Sequence, residues 1–207
     1  VLPSGNEFLG DVKLTEITVD PDNPYYTSKD GVLFNKDMTT LIAFPAGKRP
    51  GYDIPDTVTK IGNFAFGDCS SIQCIYSALE GGSKYGLSVS IPDSVTEIGQ
   101  GAFIYDTALE SVSFPDSVQS IGWDSFRGCT NITSVVIPAS VNSIFGFYNT
   151  GVSSVYFLGN APELCAGAKD TTGNDVPSFP ASAKLYFISG TTGWTSPTWK
   201  DYSCSAA

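Results

Sequence analysis

The sequence predicts a repeat solenoid, mainly β with short helical turns, and three observations carry the prediction. Ile91-Pro92-Asp93-Ser94-Val95-Thr96-Glu97-Ile98-Gly99 is written again with small changes from Ile54, Phe114 and Ile137, and the starts at 91, 114 and 137 are spaced by 23 residues twice. A fixed short period marks units too small to bury an apolar face alone, which must stack on their neighbours. The spacing L-x-x-L-x-L recurs in Leu14–Val19, Leu109–Phe114, Ile132–Ile137 and Val152–Phe157. Its last two apolar places alternate as a half-buried strand requires, and the first reaches back under the preceding turn. Finally, the 207 residues are 42% apolar and 13% aromatic but only 15% charged, with Ser, Thr, Gly and Pro filling the difference. That balance suits a sizeable core built from short strands and many turns.

Taken in order, residues 1 to 13 are mixed, and Leu14–Val19 is the first patterned stretch. Asp20-Pro21-Asp22-Asn23-Pro24 is turn chemistry, since Asx side chains bond their own backbone. Gly31–Phe34, Asn35–Met38 and Thr39–Phe44 read as strand, tight turn, strand: a hairpin packed on the first coil. From Ile54 each coil reads alike. Pro supplies no amide and ends a strand, Val at the fifth place and Ile at the eighth point inward along a second short strand, and Gly at the ninth turns the chain. The pairs Ala65-Phe66, Ala102-Phe103 and Ser125-Phe126 then suit one helical turn that drops a Phe into the core. The first coil is longer, with 37 residues between Ile54 and Ile91, and the Gly-rich Ser77–Gly86 is expected as a surface loop. Phe145-Gly146-Phe147-Tyr148 replaces the usual turn and marks the approach to an end cap. After Phe157 the period stops. Ala166–Ser182 reads as an irregular loop, Ala183–Ile188 as a strand, and Trp194, Trp199 and Tyr202 as aromatics laid over the last coil. The expected organisation is one domain over 1-207 of roughly four to five coils: an N-terminal unit and hairpin over 1-53, repeats over 54-157 and a cap over 158-207.

These residues resemble the BspA-like branch of the leucine-rich repeat proteins, whose unit reads I-P-x-x-V-x-x-I-G-x-x-A-F-x-x-C-x-x-L-x-x-V-x. Here the unit runs through Ile54-Pro55, Val58, Ile61-Gly62, Ala65-Phe66, Cys69, Ile72 and Ile75, recurs with Asp106 in the Cys place and Leu109 and Val112, and again with Cys129, Ile132 and Val135. Asn23–Tyr26 followed by Lys29–Phe34 also looks like the family's N-terminal units. The resemblance implies a right-handed leucine-rich-repeat-like solenoid, a secreted or cell-surface protein of gut or mouth bacteria, and a part in adhesion to host proteins or other cells. It carries no catalytic residues.

Charge and composition narrow the function. A net charge of −10 argues against a nucleic-acid surface, which needs clustered Lys and Arg, and against anionic membranes. No window approaches the roughly 18 apolar residues of a spanning helix. The chain begins at Val1 without Met or signal peptide, as expected of a processed or trimmed chain whose secretion signal or anchor lies upstream. With no His, the commonest metal ligand and general base are both missing, so no catalytic residue, metal or cofactor is expected.

Cys69 and Cys129 occupy equivalent places two coils apart. Stacking at about 4.8 Å puts their Cα atoms ~9 to 10 Å apart, beyond the ~7 Å a disulfide can bridge, so both are expected as buried thiols. Cys165 and Cys204 flank the C-terminal segment and could pair. Asp20–Asn23 with Asp30 faintly suggests a calcium loop, but Pro21, Pro24 and the missing twelfth-place Glu make turn capping the better reading. Asp170-Thr171-Thr172-Gly173 lacks a second copy to make a carboxylate pair, and Asn131-Ile132-Thr133 is a formal sequon with an inward Ile.

The exposed places on the L-x-x-L-x-L strands are the candidate contact surface. They are Glu110 and Ser111, Thr133 and Ser134, Ser153 and Ser154, with Tyr76, Ser113, Val136 and Tyr156 one place on. Such a face could dock protein or glycan, since Tyr gives contact area at low entropy cost; equally, Ser and Thr are ordinary exposed strand residues. Tyr25, Tyr26 and Tyr85 are rival contact sites. The function expected is a non-catalytic binding or adhesion module for protein or glycan on a host or bacterial surface. The alternatives are a spacer projecting another domain and a carboxylate-based hydrolase.

Overall fold

A computed structural model of the protein describes residues 6–48, 52–69, 87–164, 177–200 and 202–206, with 6 and 87–90 described for the backbone alone. Val58, Ile61, Val95, Ile98, Val118, Ile121 and Ile144 are all fully buried, as their fifth and eighth places in the repeat require. Each coil carries the eighth-place Ile on a two-residue strand: β4 Lys60–Ile61, β6 Glu97–Ile98, β8 Ser120–Ile121 and β10 Ser143–Ile144. The fifth-place Val, expected on the same strand, instead points inward from the turn before it, its amide bonded to the repeat's Pro carbonyl as in Val58 N–H to Pro55 O. With β3 (Thr40–Ala43) and β12 (Glu163–Leu164) these strands form six parallel rungs, β3-β4-β6-β8-β10-β12. The solenoid therefore has about six turns, more than the repeated letters suggest. The expected hairpin is present and feeds directly into it. β1 (Tyr26–Lys29) pairs antiparallel with β2 (Val32–Asn35), and β2 with β3, making an eight-stranded sheet.

The L-x-x-L-x-L places form a second wall. β9 (Ser134–Ile137), β11 (Ser154–Phe157), β13 (Lys184–Phe187) and β15 (Tyr202–Ala206) are parallel and in register, and β14 (Thr198–Trp199) closes the edge antiparallel to β15. β5 (Leu87–Ser90) and β7 (Leu109–Ser113) pair in a separate two-stranded sheet, so this wall is interrupted between β7 and β9. Leu14, Ile17 and Val19 share the spacing but form no strand. They are half-buried and make only scattered bonds in place of a ladder: Leu14 N–H donates to Asp11 O, Leu14 O accepts the Gly47 amide at 2.7 Å, Ile17 N–H donates to Gly31 O at 2.8 Å and Val19 N–H to Ser28 Oγ.

The third side is the turn around each Phe. It is hydrogen-bonded i to i+3 (Gly67 to Phe64, Ile104 to Gly101, Arg127 to Asp124) without becoming helix, and among the described residues the one helical element is a 3-10 turn at Asn6–Phe8. The reason is backbone hand. Phe64, Gly101 and Asp124 stand at one repeat place with φ of 57°, 59° and 53°, and Asp68, Tyr105 and Gly128 at another with φ of 56°, 61° and 79°. Two left-handed residues per turn stop a right-handed helix from propagating. They aim the intervening amides at the next coil instead, as in Phe66 N–H to Ala102 O and Phe103 N–H to Ser125 O, both 2.7 Å.

Inside lies a column of rings. Phe44, Phe66, Phe103, Phe126, Phe147 and Phe179 follow one another at centroid spacings of 5.1, 5.1, 5.0, 4.9 and 5.6 Å, and from Phe66 onward the planes stay within 12° of parallel. The ninth-place glycines serve this closeness. A Cβ on Gly99 would meet the Gly62 carbonyl carbon at 2.8 Å, and one on Gly122 the Ile98 oxygen at 2.7 Å; their φ values are not left-handed, so the need is for space rather than for the turn itself.

The period visible in the letters stops after Phe157, but the backbone continues. Ser178-Phe179 takes the place of Ser125-Phe126: Ser178 O accepts the Phe147 amide and Ser178 Oγ donates to Ile144 O. Among the described residues no parallel ring follows Phe179; the Tyr202 ring meets it edge-on at 5.9 Å. Tyr202 supplies what the next coil supplies elsewhere, its hydroxyl accepting from the Phe179 amide and donating to the Phe179 carbonyl, both at 3.0 Å. Trp194 stacks on Phe187 at 5.1 Å and contacts Trp199 at 4.6 Å beside it.

Two substitutions separate packing from end closure. Phe126→Ala empties the middle of the column and should cost about 3–5 kcal/mol in urea unfolding. Tyr202→Phe keeps the ring but strands two buried backbone groups, and should cost about 1–3 kcal/mol.

Candidate functional site

On the second wall the pleat sends alternate side chains out. Val135, Val155, Leu185 and Cys204 stand opposite one another and are buried, whereas Val136, Tyr156, Tyr186 and Ser205 form an outward row one place on. Within this row Val136 is 50% exposed and Tyr156 40%. The Tyr156 and Tyr186 rings stack at 4.9 Å with 13° between planes, a spacing set by the distance between neighbouring strands. Leu158 and Ile188 follow β11 and β13 on the same outward parity and are exposed too. Around this apolar stripe the outward positions are Ser134, Ser154, Lys184 and Ser203. The face is nearly uncharged although the chain is strongly acidic.

Of the residues singled out from sequence, Val136 and Tyr156 lie on this stripe. Glu110 and Ser113 are exposed on β7, across the interruption. Tyr25 and Tyr26 stand elsewhere, at the start of β1 in the other sheet. Tyr25 is 69% exposed, while the Tyr26 hydroxyl is buried without a hydrogen-bond partner. Tyr76 and Tyr85 lie outside the described residues. Tyr186, Leu158 and Ile188 are additions. Their signal was faint because the first apolar place before β13 falls on exposed Ser182, with buried Ala183 one residue later.

The family model of the BspA type Leucine rich repeat region matches residues 44–80 and 82–168, in six copies. The chain belongs to that family. BspA-type membership accounts for the recurring core letters, and the same fold is found in solved structures. A leucine-rich repeat protein from Eubacterium ventriosum superimposes with a TM-score of 0.60 at 25% identity over 74% of this chain and 38% of its own. A leucine rich cell surface protein from Faecalibacterium prausnitzii gives 0.56 at 29% identity, over 73% and 38%. The pneumococcal vaccine antigen PcpA shares the fold at 20% identity, with a TM-score of 0.54 over 85% of this chain and 45% of its own. The BspA-type chain thus spans less than half the length of each. No curated protein matches it.

The remaining candidates resolve into structural roles. Cys69 and Cys129 are fully buried thiols outside any disulfide, and Cys129 Sγ lies 3.1 Å from Phe103 O; burial raises its pKa. Cys204 is a buried thiol on the inward row, and its expected partner Cys165 lies outside the described residues, as does Asp170–Gly173. Asp20 Oδ1 accepts the Asp22 amide and Asn23 Oδ1 those of Tyr25 and Tyr26, which is turn capping. The Asn131 amide donates to Thr107 O of the preceding coil. Among the described residues no cluster of three metal-ligating side chains occurs.

Cys129 should resist a thiol reagent in the native state, because only its thiolate is nucleophilic. Counting thiols in denaturant without reductant then tests the expected Cys165–Cys204 bridge: with it three thiols react, without it five.

Proposed function

We propose that this chain is a non-catalytic binding module of a bacterial surface protein, and that it docks a protein partner on the outward face of β9, β11 and β13. The observation that supports this is the stripe of Val136, Tyr156, Tyr186, Leu158 and Ile188 on a face otherwise lined by Ser and a single Lys. Contiguous exposed apolar surface is uncommon on a protein that meets only water. A stripe of aromatic and aliphatic side chains with a polar surround has the make-up of an interface core and rim. A protein suits it better than a sugar. The two tyrosine rings face each other along the solenoid axis, so their edges and hydroxyls, rather than their open faces, meet a partner, and pyranose stacking needs an open face. Surface placement rests on the BspA-type family and on the cell-surface relative. We further propose that 1-207 acts as one domain, since the hairpin and the segment after Phe157 both extend the same sheets.

Purified wild type and Tyr156→Ser/Tyr186→Ser, compared for binding to bacterial and epithelial cells, should differ at least tenfold, a loss of about 1.4 kcal/mol or more. Protease treatment of the cells should abolish binding, and periodate should not. Equal binding by the two proteins sinks the assigned face. Binding lost to periodate alone indicates a glycan, and no binding by either protein indicates a spacer.

A further inference from the structure

In three successive coils the repeat's Cys place is filled by Cys69, Asp106 and Cys129. All three are buried, and Asp106 is 5% exposed, so a carboxyl occupies a slot that the neighbouring coils give to thiols. Its Oδ1 has no hydrogen-bond partner. The coil also sits at a weak place in the architecture, because β7 begins three residues later and is the strand at which the outward sheet is interrupted. We propose that Asp106 makes the coil of residues 91–113 a proton-sensitive joint, which tightens the solenoid in mild acid and loosens it toward neutral pH.

The surroundings favour the neutral carboxyl. From the preceding coil Asp68 adds a like charge, and Cys69 a buried thiol. From the following coil comes Cys129, whose own pKa is raised by burial and by the Asp106 charge. That coil's cation, Arg127, is held by Asp124 at 3.1 Å and lies over the Tyr105 and Tyr148 rings at 5.9 and 5.5 Å. Glu110 on β7 is exposed. Burial in this slot is the main cause that pushes the Asp106 pKa up, to about 7; the Ala108 and Leu109 amides oppose the shift, and Asp68 adds to it. A carboxyl with a folded-state pKa above its unfolded value holds an extra proton when folded. Its contribution to stability is fully present below the unfolded carboxylate range and is lost as pH rises through about 7. The chain has no histidine, so the usual titrating side chain of this window is absent and the Asp106 step is not masked.

The test is chemical unfolding of the wild type, Asp106→Asn and Asp106→Cys from pH 5 to 8, with amide exchange at residues 107–113 corrected for its intrinsic pH dependence. In the wild type the folding constant should fall up to about tenfold per pH unit from pH 5 to about 7 and then level off. In both variants it should stay flat. Exchange should quicken with pH in the wild type alone. If Asp106→Asn does not fold, Asp106→Cys, which restores the repeat's own residue, carries the comparison. Parallel pH profiles in wild type and either variant overturn the proposal, as does wild-type exchange at 107–113 that ignores pH.

Discussion

Everything in this molecule depends on the match between two spacings. Parallel strands stack at about 4.8 Å, and aromatic rings lie comfortably at about 4.5–7 Å between centroids when offset. Because the coils are hydrogen-bonded through the two-residue rungs and the Phe turns throughout, and through the outer wall on either side of its interruption, their rise is set by the backbone, and the Phe column inherits it at 4.9–5.1 Å through the middle of the chain. A ring in every coil is then the simplest filling for a core whose rungs are only two residues wide. The glycines at the ninth place follow from the same constraint, since a side chain there would push successive coils apart and open the stack.

The repeat letters made the parallel rungs, the inward Val and Ile, three of the six rings and the hairpin legible before any coordinates. What they hid was of two kinds. Phe44, Phe147 and Phe179 join the column from settings without the full unit, because a ring needs only a small residue before it, Gly146 or Ser178 serving where Ala serves elsewhere. The turn geometry was hidden because the left-handed places are held by Phe, Gly and Asp in turn. Their conformation comes from the ladder to the next coil rather than from local preference, so no residue type signals it.

The candidate surface was half legible for a related reason. Alternation placed Tyr156 outward from sequence alone, and its partnership with Tyr186 could not be read because Ser182 breaks the spacing one residue too early. Asp106 was visible as a departure from the repeat. Its meaning needed depth: the same letter at Asp56, Asp93 or Asp116 is an exposed turn residue, and only at the Cys place does it enter the core.

The register between β4 and β6 has a further consequence. Lys60 lies opposite Glu97 across 37 residues of chain, and Glu97 opposite Ser120 across 23. The stack does not register the extra fourteen residues (37 − 23) at all. Loop closure grows only slowly more costly with length, so an insertion between two coils is tolerated wherever its ends return to the same pair of rungs, and sequence length in this fold is decoupled from the rise of the stack.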